Sequence, residues 1–364
     1  MPRTASTIRD VARQAGVSVP AASVVLSGRT TGTTAVGAAA RARIQQAARA
    51  LSYRPNLAGR GVRQGRSFLY GVLLDATNSH LLPAVMRGAQ EAMAARSCAP
   101  LFFTHRSLEE ERRNLELCRT RQVDGLIVNV VPGAGAQSPR RRYADWRRQR
   151  PVVELFGHFL QDAPAVCLDM AAAGRLAVER LAARGHRRIL LLTHERYDTA
   201  RRGGSLFFDA WEHAGGYTAA MTERGLAPRI VRFALVPRMN GPDWADQTAA
   251  ALAPLLHAPA RHRPTAVVCY SDWTAAGALR AAADAGLCVP HDLSVVGLSN
   301  LPMGQALQPT LTSIAFPGEA IGERAATLAM VPADPPLADS AALPPLPPPA
   351  WIDRASVAQA PPCH

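Results

Sequence analysis

The most abundant chemically active side chains are arginines, and they are concentrated at the N-terminus. All 41 basic residues of the 364-residue chain are Arg, and the formal net charge is +13. Residues 1–66 contain eleven Arg and one acid, Asp10, a net charge of +10 that leaves only +3 for the other 298 residues. A basic terminal block on a nearly neutral body is typical of binding to a polyanion, nucleic acid first and an anionic membrane surface second.

Side-chain patterns that would support catalysis are missing from the sequence. It contains no G-x-x-x-x-G-K-[ST], H-E-x-x-H or G-x-S-x-G motif, and its ten His do not cluster. Its six Cys form no C-x-x-C pair, which favours reduced core thiols over a disulfide framework or a zinc site. We therefore expect a protein that is not an enzyme and that carries no cofactor or metal.

The length and the apolar content predict two or three globular domains, because 48% of the 364 residues are hydrophobic. No apolar stretch approaches the roughly 18 to 20 residues of a membrane span, and the first ten residues lack the apolar segment of a signal peptide. We expect a cytoplasmic protein that does not contact a membrane.

Two short helices across a Gly turn are predicted within the basic block. Thr7 can cap a helix over residues 8–15 that ends at Gly16, and Ser18 can cap a second helix over 19–26. A third helix, from about 37 to 51, would close a small core. The inward positions are Ile8, Val11, Ala12, Ala15, Ala22, Val25, Leu26, Ile44, Ala47, Ala48 and Leu51. This is a helix-turn-helix, whose second helix is sized for a DNA major groove. A generic three-helix packing module is the alternative, and the excess of Arg favours DNA.

Motifs in a fixed order extend from this block over nearly the whole chain. The headpiece motifs are Thr7-Ile8-x-Asp10-Val11-Ala12-x-x-Ala15-Gly16-Val17-Ser18, then Ser23, Val25-Leu26 and Leu51-x-Tyr53-Arg54-Pro55-Asn56. Later motifs include Arg87-Gly88, Val123-Asp124-Gly125, Arg184-Gly185-His186, Val289-Pro290-x-Asp292, Pro309-x-Leu311-Thr312-Ser313-Ile314 and Arg354-x-Ser356. Together they closely resemble the LacI/GalR family of bacterial transcriptional regulators. The resemblance implies a dimeric DNA-binding regulator, a repressor, that acts on the nucleoid in the cytoplasm.

The resemblance assigns base reading to the start of the second helix, at Val19 and Pro20. The other residues that it places in the DNA-binding set of the headpiece are Thr7, Ser18, Ala21, Ser23, Val24, Ser27, Tyr53 and Asn56. Relatives commonly carry polar side chains at the first positions and an Arg where Val24 stands. Since Val19, Pro20 and Ala21 have no side-chain donors or acceptors, they can read only shape and thymine methyl groups. We predict a weak or unusual operator preference with contacts to A·T-rich positions.

Two segments beside the helices are also expected at the DNA. Arg29 lies in loop 27–35, about four residues longer than the family pattern, where it could contact phosphate or stay solvated. Residues 54–66 are the predicted hinge, which in the family becomes a helix only on DNA. The apolar wedge that opens the minor groove falls on Val62, between Arg60 and Arg63. An ordinary flexible linker is the alternative, which Gly and Arg also suit.

The body alternates apolar strands with amphipathic helices. The predicted strands are 68–74, 101–104, 125–128, 152–156, 189–193, 230–233, 266–270 and 293–298, and the predicted helices include 81–95, 174–183 and 274–285. Near-continuous apolar strands indicate parallel sheets that are covered on both faces. About 260 residues exceed one small sheet, so we expect two doubly wound subdomains with a cleft at the carboxyl ends of their strands. The expected fold is α/β with a small all-α N-terminal domain: a helix-turn-helix headpiece at 1–53, the hinge at 54–66, and a periplasmic-binding-protein-like core of two parallel-sheet subdomains at 67–364.

In the family a small effector occupies this cleft. The corresponding residues here are Thr77, Asn78, Leu81, Leu82, Arg201 and Arg202 in loop 199–203, Ser271, Asp272, Ser299 and Asn300. Relatives that bind sugars or purines often have an aromatic residue at Leu82 and an Asp at Ser299, so this sequence is less suited to a simple sugar. If Arg201 or Arg202 faces the cleft, it favours an anionic effector, although a loop Arg is more often solvated.

The C-terminal region contains a proline tract, with seven Pro between 335 and 349. It predicts an extended loop over 332–349 that leads to a final strand near Trp351. No heptad extension follows, so we expect a two-fold dimer on a pseudo-palindromic operator and no tetramerising coiled coil. The alternatives are a regulator that binds DNA constitutively because its cleft is degenerate, and a solute-binding protein, against which residues 1–66 argue.

Overall fold

The chain forms two compact units, residues 1–67 and 68–364. The computed structural model describes residues 6–26, 36–53, 65–75, 81–131, 137–194, 208–233, 241–331 and 343–362. The predicted loop 27–35 and most of the predicted hinge 54–66 lie outside these ranges. The boundaries 1–53, 54–66 and 67–364 therefore stay predictions.

Three helices make up the described part of the first unit. They are α1 (Ile8–Ala15), α2 (Val19–Leu26) and α3 (Ala38–Ala50). Gly16 ends α1 with φ 63°, a left-handed conformation that glycine adopts without steric penalty. The predicted inward positions form one core, in which Val11, Ala22 and Ile44 are fully buried. The sequence-based prediction of the three helices is confirmed.

A five-stranded parallel sheet begins the second unit. Its strands are β1 (Leu69–Asp75), β2 (Ala99–His105), β3 (Gly125–Val128), β4 (Val152–Leu155) and β5 (Ala165–Val166), in the order β2-β1-β3-β4-β5. The helices between them are α4 (Leu82–Ala95), α5 (Leu108–Thr120) and α6 (Pro139–Gln149). Apolar side chains on both faces of β1 are buried, which explains why this strand reads as a continuous apolar run.

A six-stranded sheet follows. Its strands are β6 (Ile189–His194), β7 (Arg229–Phe233), β8 (Ala266–Cys269), β9 (Ser294–Leu298), β10 (Thr312–Ala315) and β11 (Ala350–Ile352), in the order β11-β10-β9-β8-β6-β7. All neighbours pair in parallel except β10 and β11, which are antiparallel. Its helices are α7 (Met170–Ala182), α8 (Phe208–Glu223), α9 (Gly241–Leu256) and α10 (Asp272–Asp284).

The last helix, α11 (Gly318–Met330), lies between β10 and β11 of the second sheet in sequence but packs on the first sheet. It lies against α4 and strands β3 to β5, and Ile321, Ala325 and Ala329 join the core of the first sheet. The two helices approach closely at glycines, since a Cβ on Gly88 would lie 1.9 Å from the Glu319 carbonyl oxygen. The core of the first sheet is therefore built from two distant parts of the chain.

Most predicted elements of the body are observed with small shifts at their ends. The predicted helix 174–183 begins four residues earlier, because the Asp169 side chain accepts a hydrogen bond from the Ala172 N–H and caps α7 at Met170. The predicted strand 101–104 extends over Ala99–His105 because it pairs with all of β1. The two-residue strand β5 and strand β10 were not predicted.

Two negative findings hold for the residues with described structure. None of their helices is long and apolar enough to cross a membrane, and none of their His, Cys, Asp and Glu side chains cluster in a way that could hold a metal ion. Cys118 and Cys269 are buried free thiols, whereas Cys288 is exposed.

Candidate nucleic-acid interface and effector site

Capping residues fix the geometry of the α1–turn–α2 motif. The Thr7 hydroxyl accepts from the Asp10 N–H and donates to the Asp10 carboxylate (2.6 Å), which in turn accepts from the Thr7 N–H (2.9 Å). These hydrogen bonds with Thr7 lower the pKa of Asp10, so it stays ionised at the positive end of the helix dipole. The Ser18 hydroxyl accepts from the Ala21 N–H (3.4 Å) and caps α2.

Helix α2 buries one face and leaves its start exposed. Ala22 and Val25 lie in the headpiece core, whereas Val19 is 39% exposed and Pro20 is also exposed. Ala21, Ser23 and Val24 are half-buried. Val19 and Leu117 are the only large apolar side chains exposed among the residues that the structure describes. An exposed valine at the start of this helix provides the apolar surface that thymine methyl groups require.

The remaining predicted DNA contacts fall into two groups. Tyr53 packs against the headpiece core just after α3. Ser27, Arg29, Asn56, Arg60, Val62 and Arg63 lie outside the described residues. All of these assignments stay predictions.

The carboxyl edge of the first sheet carries a buried polar group. His105 ends β2 and its Nε2 lies 3.0 Å from the Asn129 carbonyl oxygen, while the Asn129 side-chain Nδ2 donates to the Leu155 carbonyl oxygen (3.1 Å). The Asn129 Oδ1 atom is buried and accepts no hydrogen bond from any described residue. A buried acceptor without a donor is destabilising unless a ligand or water supplies one.

At the carboxyl edge of the second sheet, a hydrogen-bond network links four side chains. Asp272 is fully buried, and its carboxylate accepts from the Ser313 hydroxyl (2.6 Å) and from the Leu301 N–H. Arg354 donates to the Asn300 Oδ1 atom (2.7 Å), and the Asn300 N–H donates to the Ser313 hydroxyl oxygen (3.0 Å). Burial raises the pKa of Asp272 to about 6, an effect that the hydrogen bond from Ser313 partly offsets. The network fixes the loop after β9.

Backbone geometry in the same loop is unusual. Ser299 has φ 98° and Asn300 has φ 49°, in the left-handed region that non-glycine residues seldom occupy. Such strain persists only where surrounding contacts hold it, and it occurs often at ligand sites.

Four aromatic rings cover the adjoining strand ends. The His194 ring lies edge-on to Tyr270 at 5.1 Å between centroids, and Tyr270 stacks on Trp244 at 5.8 Å. Phe233 completes the group, 6.1 Å from Trp244. The four rings are buried in the second subdomain, whereas Leu82, in the core of the first sheet, is aliphatic.

The structure places the predicted effector residues in different surroundings. Ser271 caps α10 and, like Asp272, is buried, so both have structural roles in this conformation. Leu82 is buried in the core of the first sheet, and Leu81 packs against the cores of both sheets. Thr77, Asn78, Arg201 and Arg202 lie outside the described residues. The effector roles stay predictions for all ten residues.

Sequence reasoning missed several residues at these edges. Asn129, Ser313 and Arg354 were not among the predicted site residues, although Ser313 and Arg354 belong to quoted motifs. Their partners are far away in sequence, since Ser313 is 41 residues from Asp272 and Arg354 is 54 from Asn300. His186, from another quoted motif, has a structural role: it is buried, with its ring nitrogens 3.0 Å from the Thr265 hydroxyl and 3.1 Å from the Ala358 carbonyl oxygen.

Comparison with known proteins agrees with this architecture. Residues 7–56 match the family described as bacterial regulatory proteins, lacI family, and residues 178–357 match the periplasmic binding protein-like domain. The chain is 30% identical over 333 residues to the HTH-type transcriptional regulator GalS of Salmonella typhimurium, covering 89% of each chain. It is 29% identical over 339 residues to the HTH-type transcriptional repressor CytR of Escherichia coli K12, again covering 89% of each.

Solved structures share the fold at lower identity. The lac repressor dimer bound to operator and the anti-inducer ONPF has a TM-score of 0.69 at 21% identity, covering 98% of this chain and 100% of that chain. The complex of the transcriptional regulator CelR with cellobiose has a TM-score of 0.60 at 22% identity, covering 96% and 99%.

A helix-turn-helix unit joined to a core of two parallel sheets defines a class of bacterial DNA-binding transcriptional regulators. Within that class, this chain belongs to the LacI family.

Proposed function

We propose that this regulator is a homodimeric repressor whose affinity for a pseudo-palindromic operator is set by a small-molecule effector bound between the two sheets. The observation that carries the proposal is the surface of α2, which buries Ala22 and Val25 while exposing Val19 and Pro20. A helix presented in this way is arranged to read a major groove.

The DNA-binding set divides by role. Val19, Pro20, Ala21, Ser23, Val24 and Ser27 face bases, Val62 enters the minor groove, and Thr7, Ser18, Arg29, Tyr53, Asn56, Arg60 and Arg63 position the protein on the backbone. Two copies related by a two-fold axis place two α2 helices on successive major grooves, which requires half-sites in inverted repeat.

The effector site is proposed at the carboxyl edges of the two sheets. Asn129 offers a buried acceptor on one side, while the loop after β9 and the ring of Tyr270 lie on the other. Leu81 and Leu168 pack against both sheet cores, so movement of one sheet against the other changes their contacts. A ligand that fits one arrangement better shifts the population toward it.

Two classes of effector are compatible with this site, a neutral polar ligand and an anion. Arg201 and Arg202 would favour a carboxylate or phosphate if either faces the site. We further propose that the protein has no catalytic role and works in the cytoplasm on the nucleoid, because the site residues serve only binding.

Selection of operators from random duplex DNA with the full-length protein tests the DNA assignment. We expect an inverted repeat with A·T pairs opposite Val19 and Pro20. Guanines at these positions would contradict the reading by apolar side chains, and recovery of no common sequence would contradict sequence-specific regulation.

Thermal unfolding of the full chain against sugars, nucleosides and anionic metabolites tests the effector site. A ligand at a hundredfold its Kd adds about 2.7 kcal/mol of stability, and the same ligand should change operator affinity. Asn129→Leu serves as the matched variant, expected to lose the ligand effect while it still binds operator. If no ligand stabilises the protein and operator binding is unaffected, the constitutive regulator with a degenerate cleft is the better account.

A further inference from the structure

The core carries a basic segment to which none of the roles above is assigned. Residues 138–150 contain six Arg and one acid, Asp145, a net charge of +5. The core as a whole has a net charge of +3, so its other 285 residues carry −2. The positive charge of the core is therefore concentrated in and around α6.

This segment and the end of α5 meet at the amino edge of the first sheet. Helices α5 and α6 run back from the carboxyl edge, so that they end where β3 and β4 begin. A groove of about 390 Å³ lies between these helix ends. It is lined by Arg119, Gln122, Val123, Asp145, Trp146, Gln149 and Arg150.

Most arginines of the segment 138–150 form ion pairs, whereas three arginines at the amino edge of the sheet form none with the described residues. Arg140 and Arg147 share Asp162, and Arg148 pairs with Asp145. Arg142 is buried against Glu111 (3.1 Å). By contrast, the side chains of Arg119, Arg121 and Arg150 form no ion pair with any residue of the described ranges. Arg119 and Arg121 are exposed and Arg150 is half-buried.

Trp146 forms an apolar floor beside these cations. The Arg119 guanidinium carbon lies 5.9 Å from the centre of the Trp146 ring, a cation–π contact. The indole N–H of Trp146 is buried and has no acceptor within the described part of the chain. The groove therefore combines available cationic donors with a buried donor that lacks a partner among the described residues, and the acid in its lining, Asp145, pairs with Arg148.

The chain from the first unit joins the core at the same edge. The Phe68 N–H donates to the Asp124 carboxylate (2.9 Å), and the Asp124 N–H donates to the Leu69 carbonyl oxygen (2.7 Å). Arg121 precedes Asp124 by three residues. The thirteen residues 54–66 can span at most about 45 Å when extended and about 20 Å as a helix. The length of this linker limits how far from the amino edge of the first sheet the first unit can hold DNA.

We propose that Arg119, Arg121 and Arg150 bind phosphates of the DNA that flanks the operator. This inference rests on the proposed function, because it requires the first unit to hold DNA. Guanidinium groups bind phosphate oxygens through paired hydrogen bonds, and phosphate contacts need no base sequence. The core then adds sequence-independent affinity to a headpiece whose reading helix has few polar side chains. The competing account is that these arginines only stabilise the carboxyl ends of α5 and α6.

The test compares two triple variants of the full-length protein. One is Arg119→Gln, Arg121→Gln and Arg150→Gln. The control is Arg106→Gln, Arg112→Gln and Arg141→Gln, which removes the same charge from exposed positions toward the opposite edge of the same sheet. Fluorescence anisotropy measures the affinity for a selected operator in a duplex with long flanks and in a duplex trimmed to the operator, from about 50 to 200 mM salt.

On the long duplex, we expect the first variant to lose about 0.9 from the slope of log affinity against log salt for each phosphate contact removed. Loss of three contacts lowers the slope by about 2.7. The fall in affinity between about 50 and 200 mM salt then becomes about fortyfold smaller. On the trimmed duplex, and for the control variant on both duplexes, the change should be small.

Three results would overturn the proposal. Equal losses for both triple variants would mean that only net charge matters, and unchanged slopes for both would leave the arginines as helix-end residues. A loss that is the same on trimmed and long DNA would place the contacts within the operator instead of its flanks.

The melting temperature of each variant shows whether it is folded. If the unmodified protein bound no DNA, the proposed function itself would fail, an outcome distinct from these three.

Discussion

Val19 is an exposed valine at the position from which a recognition helix reads bases. It is 39% exposed at the start of α2, where a polar side chain would be better solvated. We predict that Val19→Ala lowers operator affinity about four- to fifteenfold, because it removes two methyl groups and about 0.8 kcal/mol is lost for each one that the DNA buries. Affinity for unrelated DNA should not change.

The matched control for this variant is Leu117→Ala, which truncates an apolar side chain of similar exposure, 43%, in the core. It should leave both affinities unchanged. Titration of labelled duplexes at one salt concentration gives all four values. An equal loss on operator and unrelated DNA for Val19→Ala would mean that Val19 supports the helix and does not read bases.

Asp272 links a buried carboxylate to the pH dependence of stability. Burial raises its folded-state pKa from 3.8 to about 6, so the folded state binds the proton more tightly than the unfolded state. Above about pH 6 the carboxylate is ionised, and its burial then lowers the free energy of unfolding by about 3 kcal/mol. This destabilisation disappears as the pH falls toward 4 and the carboxyl group is protonated. We predict that Asp272→Asn removes this component from urea unfolding curves measured between pH 4 and 7, whereas Asp284→Asn, at the other end of α10, retains it.

His213 acts in the opposite direction over the same pH range. Burial lowers its pKa from 6.5 to about 4, and neither ring nitrogen has a partner among the described residues. The unfolded state then binds more protons, so stability falls as the pH drops from 6.5 to 4. Asp272 makes stability decrease as the pH rises, and His213 partly offsets this decrease. We therefore predict that stability falls more steeply with rising pH in His213→Leu. If Asp272→Asn and His213→Leu shift the slope in the same direction, one of these assignments is wrong.

Helix pairing in the core depends on glycines at close crossings, and α8 offers a direct test. A Cβ on Gly216 would lie 2.0 Å from the Ala171 carbonyl oxygen of α7, whereas a Cβ on Gly215 meets nothing within 4 Å. We predict that Gly216→Ala destabilises the core by about 1–3 kcal/mol because the helices must separate. Gly215→Ala should stabilise it by about 0.5–1 kcal/mol, since alanine favours the helical backbone.

The two substitutions make the same chemical change at adjacent positions of one helix, so their difference in denaturant midpoint reports the crossing alone. Equal effects of Gly215→Ala and Gly216→Ala would contradict the close approach of α7 and α8.

Elements were predictable from the sequence where local signals determine them. Helix α1 carries its own start and stop signals at Thr7 and Gly16, and strands such as Gly125–Val128 are continuous apolar runs. Strand β5 has two residues and no period to detect. The position of α11 on the first sheet also has no local signal, because an apolar helix face does not specify which sheet covers it.

The candidate site was predictable only in part, for the same reason. The sequence places Asp272 and Asn300 at strand ends, but not whether their side chains face a ligand. Their orientation depends on Ser313 and Arg354, which only the folded chain brings near. Asn129 had no sequence signal, since Asn is common in turns that follow a strand.

Charge is distributed unequally over the whole molecule, with +10 of the net +13 in residues 1–66. If six to ten phosphates are contacted, operator affinity should fall by roughly 10³ to 10⁵ between about 50 and 200 mM salt. Affinity for unrelated DNA should fall nearly in parallel, because α2 contributes few polar base contacts. Parallel titrations of both duplexes across this range measure the two slopes. A shallow slope on the operator would show that base contacts dominate the binding.

The position of α11 has a consequence for synthesis on the ribosome. Strands β1 to β5 are complete by residue 166, but α11, which packs beside α4 on one face of their sheet, begins at Gly318. At about 5–20 residues per second, the ribosome needs roughly 8 to 30 s to supply the missing segment. During that interval only α4 packs on the face that α4 and α11 share, so we expect apolar side chains of β3 to β5 to be exposed on the nascent chain and open to chaperones that bind apolar surface. The headpiece, whose core closes by residue 53, can fold long before the core that regulates it.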